Sequence, residues 1–153
     1  MPKEIIIRAA TRKDIEEMVL LLDDLFSIEA DFHSDSNRQI AGITMLLDGC
    51  MKHKCIKVAE IDGKVVGMCS AQLLISTAQG TLVAIVEDVV VSANHRRKGI
   101  GRRLMQAIET WARFHGATRL QLLADQTNAA AFNFYQRMGW RSTQLICLRR
   151  MLS

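Results

Sequence analysis

Apolar positions recur at two different spacings along the chain, and the changes from one spacing to the other mark out its elements. Ile5 to Ile7 and their flanks predict a first strand. Thr11 followed by Asp14 has the form of a capping box with Asp in the usual place of Glu. Ile15, Met18, Val19, Leu22, Leu25 and Phe26 then fall at three- and four-residue steps, which predicts a helix with one apolar stripe. A polar stretch over residues 33–37 breaks it, and Ile40, Ile43, Leu46 and Leu47 predict a second helix ending near Gly49. Ile56, Val58 and Ala59 fit a strand, Asp62-Gly63 is a hairpin turn, and residues 65–74 return antiparallel. After a loop at 76–80, residues 81–91 form a β-branched run that predicts a central strand. A basic turn over 95–101 opens a helix with Leu104, Ile108, Trp111 and Ala112 on one side and Gly116 as its cap. Leu120, Leu122 and Leu123 predict a short strand, Asn128 begins a helix running through Tyr135 to a stop at Gly139, and residues 140–152 predict a final strand or hairpin. The order is mixed α/β: antiparallel strands first, then strand–helix–strand–helix–strand.

Length and composition narrow the class. A chain of 153 residues, 49% hydrophobic and 24% charged, has the make-up of a folded globular protein and predicts a single domain over residues 1–153. No apolar run reaches the roughly 18 residues of a membrane span, and Met-Pro-Lys-Glu-Ile-Ile-Ile at the start lacks a signal-peptide core. Cys50, Cys55, Cys69 and Cys147 form no C-x-x-C pair, and the four histidines have no metal-ligand spacing, so no metal is expected. Reduced, partly buried thiols in a cytoplasmic protein are expected instead. The eight methionines follow no stripe and read as core filler.

Charge is unevenly placed. Between Asp14 and Asp35 lie eight acids and no Lys or Arg, a local charge of −8. Between Arg96 and Arg119 lie seven bases against Glu109 alone, or 7 − 1 = +6. Such a run is commonly a solvated helix face; it could also hold an anionic ligand at one end and a cationic one at the other. A nucleic-acid module is disfavoured, because aromatics are 5% of the chain and none interleaves with residues 96–103.

The most informative stretch is Val89-Val-Val-Ser-Ala-Asn-His-Arg-Arg-Lys-Gly-Ile-Gly-Arg-Arg-Leu104. A strand runs into a turn with glycines at alternate positions, where a helix begins. Gly99 and Gly101 let a ligand approach the backbone, the first helical N–H groups have no internal partner, and Arg96, Arg97, Lys98, Arg102 and Arg103 surround them with positive charge. A diphosphate suits that arrangement. Leu104 stands where a dinucleotide fingerprint needs Gly or Ala, and the Gly-Lys-Ser/Thr of a P-loop is absent.

Arg96-Arg97-Lys98-Gly99-Ile100-Gly101 resembles the Arg/Gln-x-x-Gly-x-Gly/Ala signature of the GNAT superfamily of acetyl-CoA-dependent N-acetyltransferases. Downstream, Asn128-Ala-Ala-Ala-Phe-Asn-Phe-Tyr-Gln-Arg-Met-Gly-Trp140 is similar to the family's Asn-x-x-Ala-x-x-x-Tyr-x-x-x-Gly-Phe block, and Glu87-Asp88-Val89-Val90-Val91 to its Glu-Asp-Leu-x-Val strand. The chain departs from the pattern at Ala93, Arg97 and Trp140, where many members have Pro, Gly and Phe; none of these is a reacting group.

The resemblance implies a mostly antiparallel sheet flanked by helices, with a splayed strand pair holding the pantetheine of acetyl-CoA as co-substrate. It implies direct transfer of acetyl to a primary amine, with a small polyamine- or lysine-like acceptor suggested by the 87–91 and 133–137 segments. A protein N-terminal or lysine acceptor, and a non-catalytic acyl-CoA sensor, are the alternatives. On this reading Arg96, Arg97, Lys98, Gly99, Ile100, Gly101 and Arg102 hold the diphosphate, Val89 and Val91 offer backbone groups to the pantetheine arm, and Asn128 anchors it or caps its helix. Tyr135, the chain's only tyrosine, stands at the family's acid position. Glu87 is the candidate base, expected on one strand face with Val89 and Val91; Asp88 is its rival, and a purely structural place in the strand remains open for either. Family members are often homodimers, and Leu145-Ile-Cys-Leu148 could pair across such an interface.

Overall fold

Asp62 and Gly63 both take positive φ, 51° and 77°, the combination a two-residue hairpin turn needs. In the computed structural model, which describes residues 3–28, 33–48 and 52–153, this turn joins β2 (Lys54–Ile61) to β3 (Lys64–Ser76). With β1 (Ile6–Ala9), β4 (Thr81–Val91) and β5 (Leu120–Gln121) they form one sheet in the order β1-β2-β3-β4-β5. Three pairings are antiparallel and β4–β5 is parallel. Contacts divide the chain into two units, Met1–Leu122 and Leu123–Ser153.

In the first unit, helices cover both faces of the sheet. Thr11 N–H donates to the Asp14 carboxylate at 2.8 Å, completing the capping box ahead of α1 (Ile15–Ile28). The Asp35 side chain accepts from Arg38 N–H at the start of α2 (Ser36–Leu47); Gly49, the expected stop, lies outside the described residues. Met18, Leu21 and Leu22 of α1 and Ile43 of α2 share a core with Ile56, Val58, Met68 and Val90 of the sheet. The opposite face carries α3 (Ile100–Phe114), whose Ile100, Leu104, Met105 and Ile108 are buried. There Gly67 allows a close approach: a β-carbon on it would meet Leu104 Cδ1 at 3.1 Å, Ile100 Cγ2 at 3.3 Å and the Val90 carbonyl at 3.3 Å. Cys55 and Cys69 are buried in the sheet; loss of water raises the Cys55 thiol to about 12 and Cys69 well above its ordinary value, so both are unreactive at neutral pH.

The second unit holds α4 (Ala129–Arg137), capped by Asn128 and followed by Gly139 at φ 92°. Residues 140–152, expected as a strand or hairpin, form neither. Apolar residues make a strand only where another chain segment supplies ladder bonds, and among the described residues no strand pairs with this one.

The Asp14 carboxylate accepts two Arg8 guanidinium bonds at 2.8 and 2.9 Å, and Arg8 also donates to Glu60 at 2.9 Å. Arg8, foremost, holds Asp14 below the usual carboxylate range against the opposing effect of burial. Its stabilisation is therefore present above the unfolded value and lost as pH falls through the depressed folded value. Asp14→Asn should cost about 2 kcal/mol at neutral pH, with its denaturation midpoint converging on wild type in acid. Parallel curves across the whole pH range would contradict this role.

Candidate active site

β4 delivers the chain to the expected phosphate turn. Ser92 N–H donates to the Val66 carbonyl at 2.8 Å, and the Ser92 hydroxyl and His95 Nδ1 lie 2.8 Å apart. His95 is thus part of the turn's own bonding. Arg96 Nε donates to the Val91 carbonyl at 3.0 Å, folding the turn back on the strand end. Arg97 is left-handed at φ 63° and Gly99, the N-cap of α3, at φ 78°. Because Arg103 N–H makes the first turn's bond, to the Gly99 carbonyl at 3.1 Å, the amides of Ile100, Gly101 and Arg102 have no partner from the helical ladder. An added β-carbon on Gly99 would meet nothing within 4 Å, so the approach is open.

Arg96, Arg97, Lys98 and Arg102 are exposed around those amides, whereas Ile100 is buried and anchors the helix end in the core. The structure thus brings all seven residues expected at the diphosphate into one turn. Arg103 donates instead to the Ile5 carbonyl at 3.0 Å, which ties α3 to the sheet's first strand.

β5 runs beside β4 only at Ala84 and Ile85, so the β4 edge from Val86 to Val91 has no strand alongside. Extended ligands can complete such an edge with ladder-type bonds. Val89 and Val91 lie on this stretch and are half-buried. A cleft of about 290 Å³ lined by Leu74, Ile75, Val83, Ile85 and Arg119 sits toward the other end of β4, away from Gly99.

Glu87 is placed differently from the expectation. Val91 pairs with Gly67 and Val90 with Met68, but Ser70 pairs with Glu87, so one extra residue has entered β4 opposite Cys69. Asp88 takes φ 55° at this bulge. The extra residue breaks the two-residue alternation. Glu87 therefore shares its face with Val90, Met68 and Ser70, the α1/α2 side, and not with Val91, whose partner Gly67 faces α3. Glu87 itself is exposed.

Several acids of the 14–35 stretch have structural work. Asp14 binds Arg8, Glu17 accepts Val65 N–H at 2.8 Å, Asp23 accepts the Ser34 hydroxyl, and Asp35 caps α2. Glu29 and Asp31 lie outside the described residues.

In the second unit, Asn128 Oδ1 accepts Ala131 N–H at 3.2 Å, so its capping role is realised. Tyr135 lies on α4 two turns later, its ring edge-on to Phe134 at 5.3 Å and to Trp140 at 6.1 Å between centroids. Trp140 N–H donates to the Tyr135 carbonyl at 3.0 Å.

Comparison with known proteins bears on the family and the fold. The sequence profile of the acetyltransferase (GNAT) family matches residues 20–140. The probable N-acetyltransferase camello of Xenopus tropicalis is 26% identical over 131 residues, covering 84% of this chain and 58% of that protein. Streptothricin acetyltransferase of Streptomyces lavendulae is 46% identical over 55 residues, 36% of this chain and 29% of the relative. The chain thus spans less than two thirds of these relatives' lengths. Among solved structures, the aminoglycoside N-acetyltransferase AAC(6')-Iy in complex with CoA superposes with a TM-score of 0.83 at 18% identity, over 99% of this chain and 97% of the other. The aminoglycoside acetyltransferase meta-AAC0020 from an uncultured soil metagenomic sample, in complex with sisomicin, gives 0.77 at 20% identity, over 97% of both. Those two likenesses are of fold. With four fifths of its length matched by the family profile, the chain belongs to the GNAT acetyltransferase family.

Proposed function

We propose that this protein transfers the acetyl group of acetyl-CoA directly to a primary amine of a small molecule. The observation that carries the reading is the α3 entrance: unpaired amides behind a left-handed Gly99, ringed by exposed cations, at the end of a strand whose edge is open. Diphosphate charge suits the amides and the helix dipole, and an extended pantetheine suits the strand edge. Solved relatives of this fold include one in complex with CoA and one with a bisubstrate analogue of CoA and acetylneamine.

The chemistry then has three parts. Glu87, directly or through a water, takes a proton from the substrate ammonium and leaves a nitrogen lone pair. That nitrogen forms a C–N bond to the thioester carbonyl carbon, while a backbone N–H of β4 stabilises the negative charge on its oxygen. The C–S bond breaks, its electron pair leaves on sulfur, and the Tyr135 hydroxyl supplies the proton that makes the thiol; the second proton of the attacking nitrogen, shed as the amide forms, restores the tyrosine hydroxyl. The net products are an amide, CoA thiol and one proton.

A cationic small acceptor, polyamine- or lysine-like, is consistent with the excess of carboxylates on α1 and with Glu87 standing on the face that α1 and α2 cover. An aminoglycoside is an amine of the same kind, and two solved relatives carry that name. The test is thiol release from acetyl-CoA across a panel of polyamines, lysine analogues and aminoglycosides, with peptide N-termini for contrast. Turnover confined to peptides would overturn the small-molecule reading, and CoA binding without turnover on any amine would make the protein a sensor. With the best amine, Glu87→Gln should lower kcat about 10²-fold near neutral pH and remove the acid limb of the pH–rate profile. An unaltered profile would exclude Glu87 as the base.

A further inference from the structure

We propose that Ser70 and Asp88 are positioning residues: together they hold the one-residue bulge in β4 that turns Glu87 from the α3 face to the α1/α2 face. This rests on the reading of Glu87 as the base. Without the extra residue, strict alternation would put Glu87 on the side of Val91, facing α3. With it, the carboxylate stands on the side where α1 and α2 lie.

Two observations show how the bulge is held. Ser70 is 2% exposed, and its hydroxyl donates to the Glu87 carbonyl at 3.1 Å with an Asp88 carboxylate oxygen 3.5 Å away. A buried hydroxyl bonded to the main chain at the very residue where register changes fixes that change in place. Asp88 takes φ 55°, a left-handed conformation that Asp and Asn adopt several-fold more readily than other side chains and that β-branched residues avoid. The neighbouring Val86, Val89 and Val90 would resist it. The residue type and the hydroxyl thus act on the same peptide.

The experiment pairs a structural and a kinetic readout. In Ser70→Ala, amide hydrogen exchange at Glu87 to Val90 should quicken at least tenfold while α3 and β2 keep their protection. Its kcat should fall about tenfold, with the dissociation constant for CoA within about twofold of wild type. Among replacements of Asp88, Asn should retain about tenfold more kcat than Ala, with Gly between them, since Asn keeps both the left-handed preference and an acceptor oxygen. Unchanged exchange and kcat in Ser70→Ala would overturn the proposal. So would Asp88→Asn losing the acid limb of the pH–rate profile, which would make Asp88 itself the base. A wild-type protein that acetylated no amine would sink the functional reading instead, and the exchange data would still decide whether the hydroxyl holds the bulge.

Discussion

Tyr135→Phe should turn over about 10²-fold more slowly than wild type, with CoA affinity nearly unchanged. The substitution removes one oxygen and leaves the ring, so the edge-on contacts with Phe134 and Trp140 remain available. On the proposed mechanism, what disappears is the proton donor for the departing sulfur. A thiolate leaves less readily unaided, and the loss should fall on kcat and on kcat/KM together, as expected when an interaction made only in the transition state is deleted. Steady-state thiol release with saturating amine measures it. If Tyr135 only packs, the variant will show a lowered melting temperature at wild-type kcat, and the acid role must pass to another group.

Gly99→Val should raise the KM for acetyl-CoA by about 10²-fold while leaving the protein folded. Two effects add. At φ 78° a β-branched side chain is strained by about 1–3 kcal/mol, and relief of that strain would rotate the amides of Ile100, Gly101 and Arg102 away from a common point. The new side chain would also occupy the space through which the proposed diphosphate would reach them, which is open in the native turn. Calorimetric titration with CoA separates the binding loss from any change in kcat. Gly99→Ala, smaller but still strained, should fall between the two. Undiminished CoA binding in the valine variant would mean that the turn is not where the diphosphate sits.

The hairpin at Asp62-Gly63, the central strand at 81–91 and the cationic turn were legible because local chemistry decides each of them. Positive φ at Asp-Gly, β-branching and paired glycines before a helix are properties of a few adjacent residues. The bulge was not inferred, although it left a trace. Asp88 sits inside a run of valines, where an acidic residue is unfavourable in a strand yet well suited to left-handed backbone. Its consequence for Glu87 depends on the register with Ser70, seventeen residues earlier than Glu87, which alternation alone does not reveal. The 140–152 segment failed for the converse reason: its apolar run at 145–148 suits a strand, but ladder bonds come from elsewhere in three dimensions. The acidic run misled in part because charge counted along the chain takes no account of Arg8, Val65 N–H or a helix cap. Asn128 had two readings, and the cap is the one its contacts display.

The missing side chain at Gly67 sets the distance between a scaffold and its grip. With Leu104 and Ile100 resting almost on bare backbone, the cation-rich end of α3 is pinned to the middle of the sheet. A methyl group there would meet Leu104 and Ile100 at 3.1 and 3.3 Å, so either those side chains or the helix end must yield by a few tenths of an ångström.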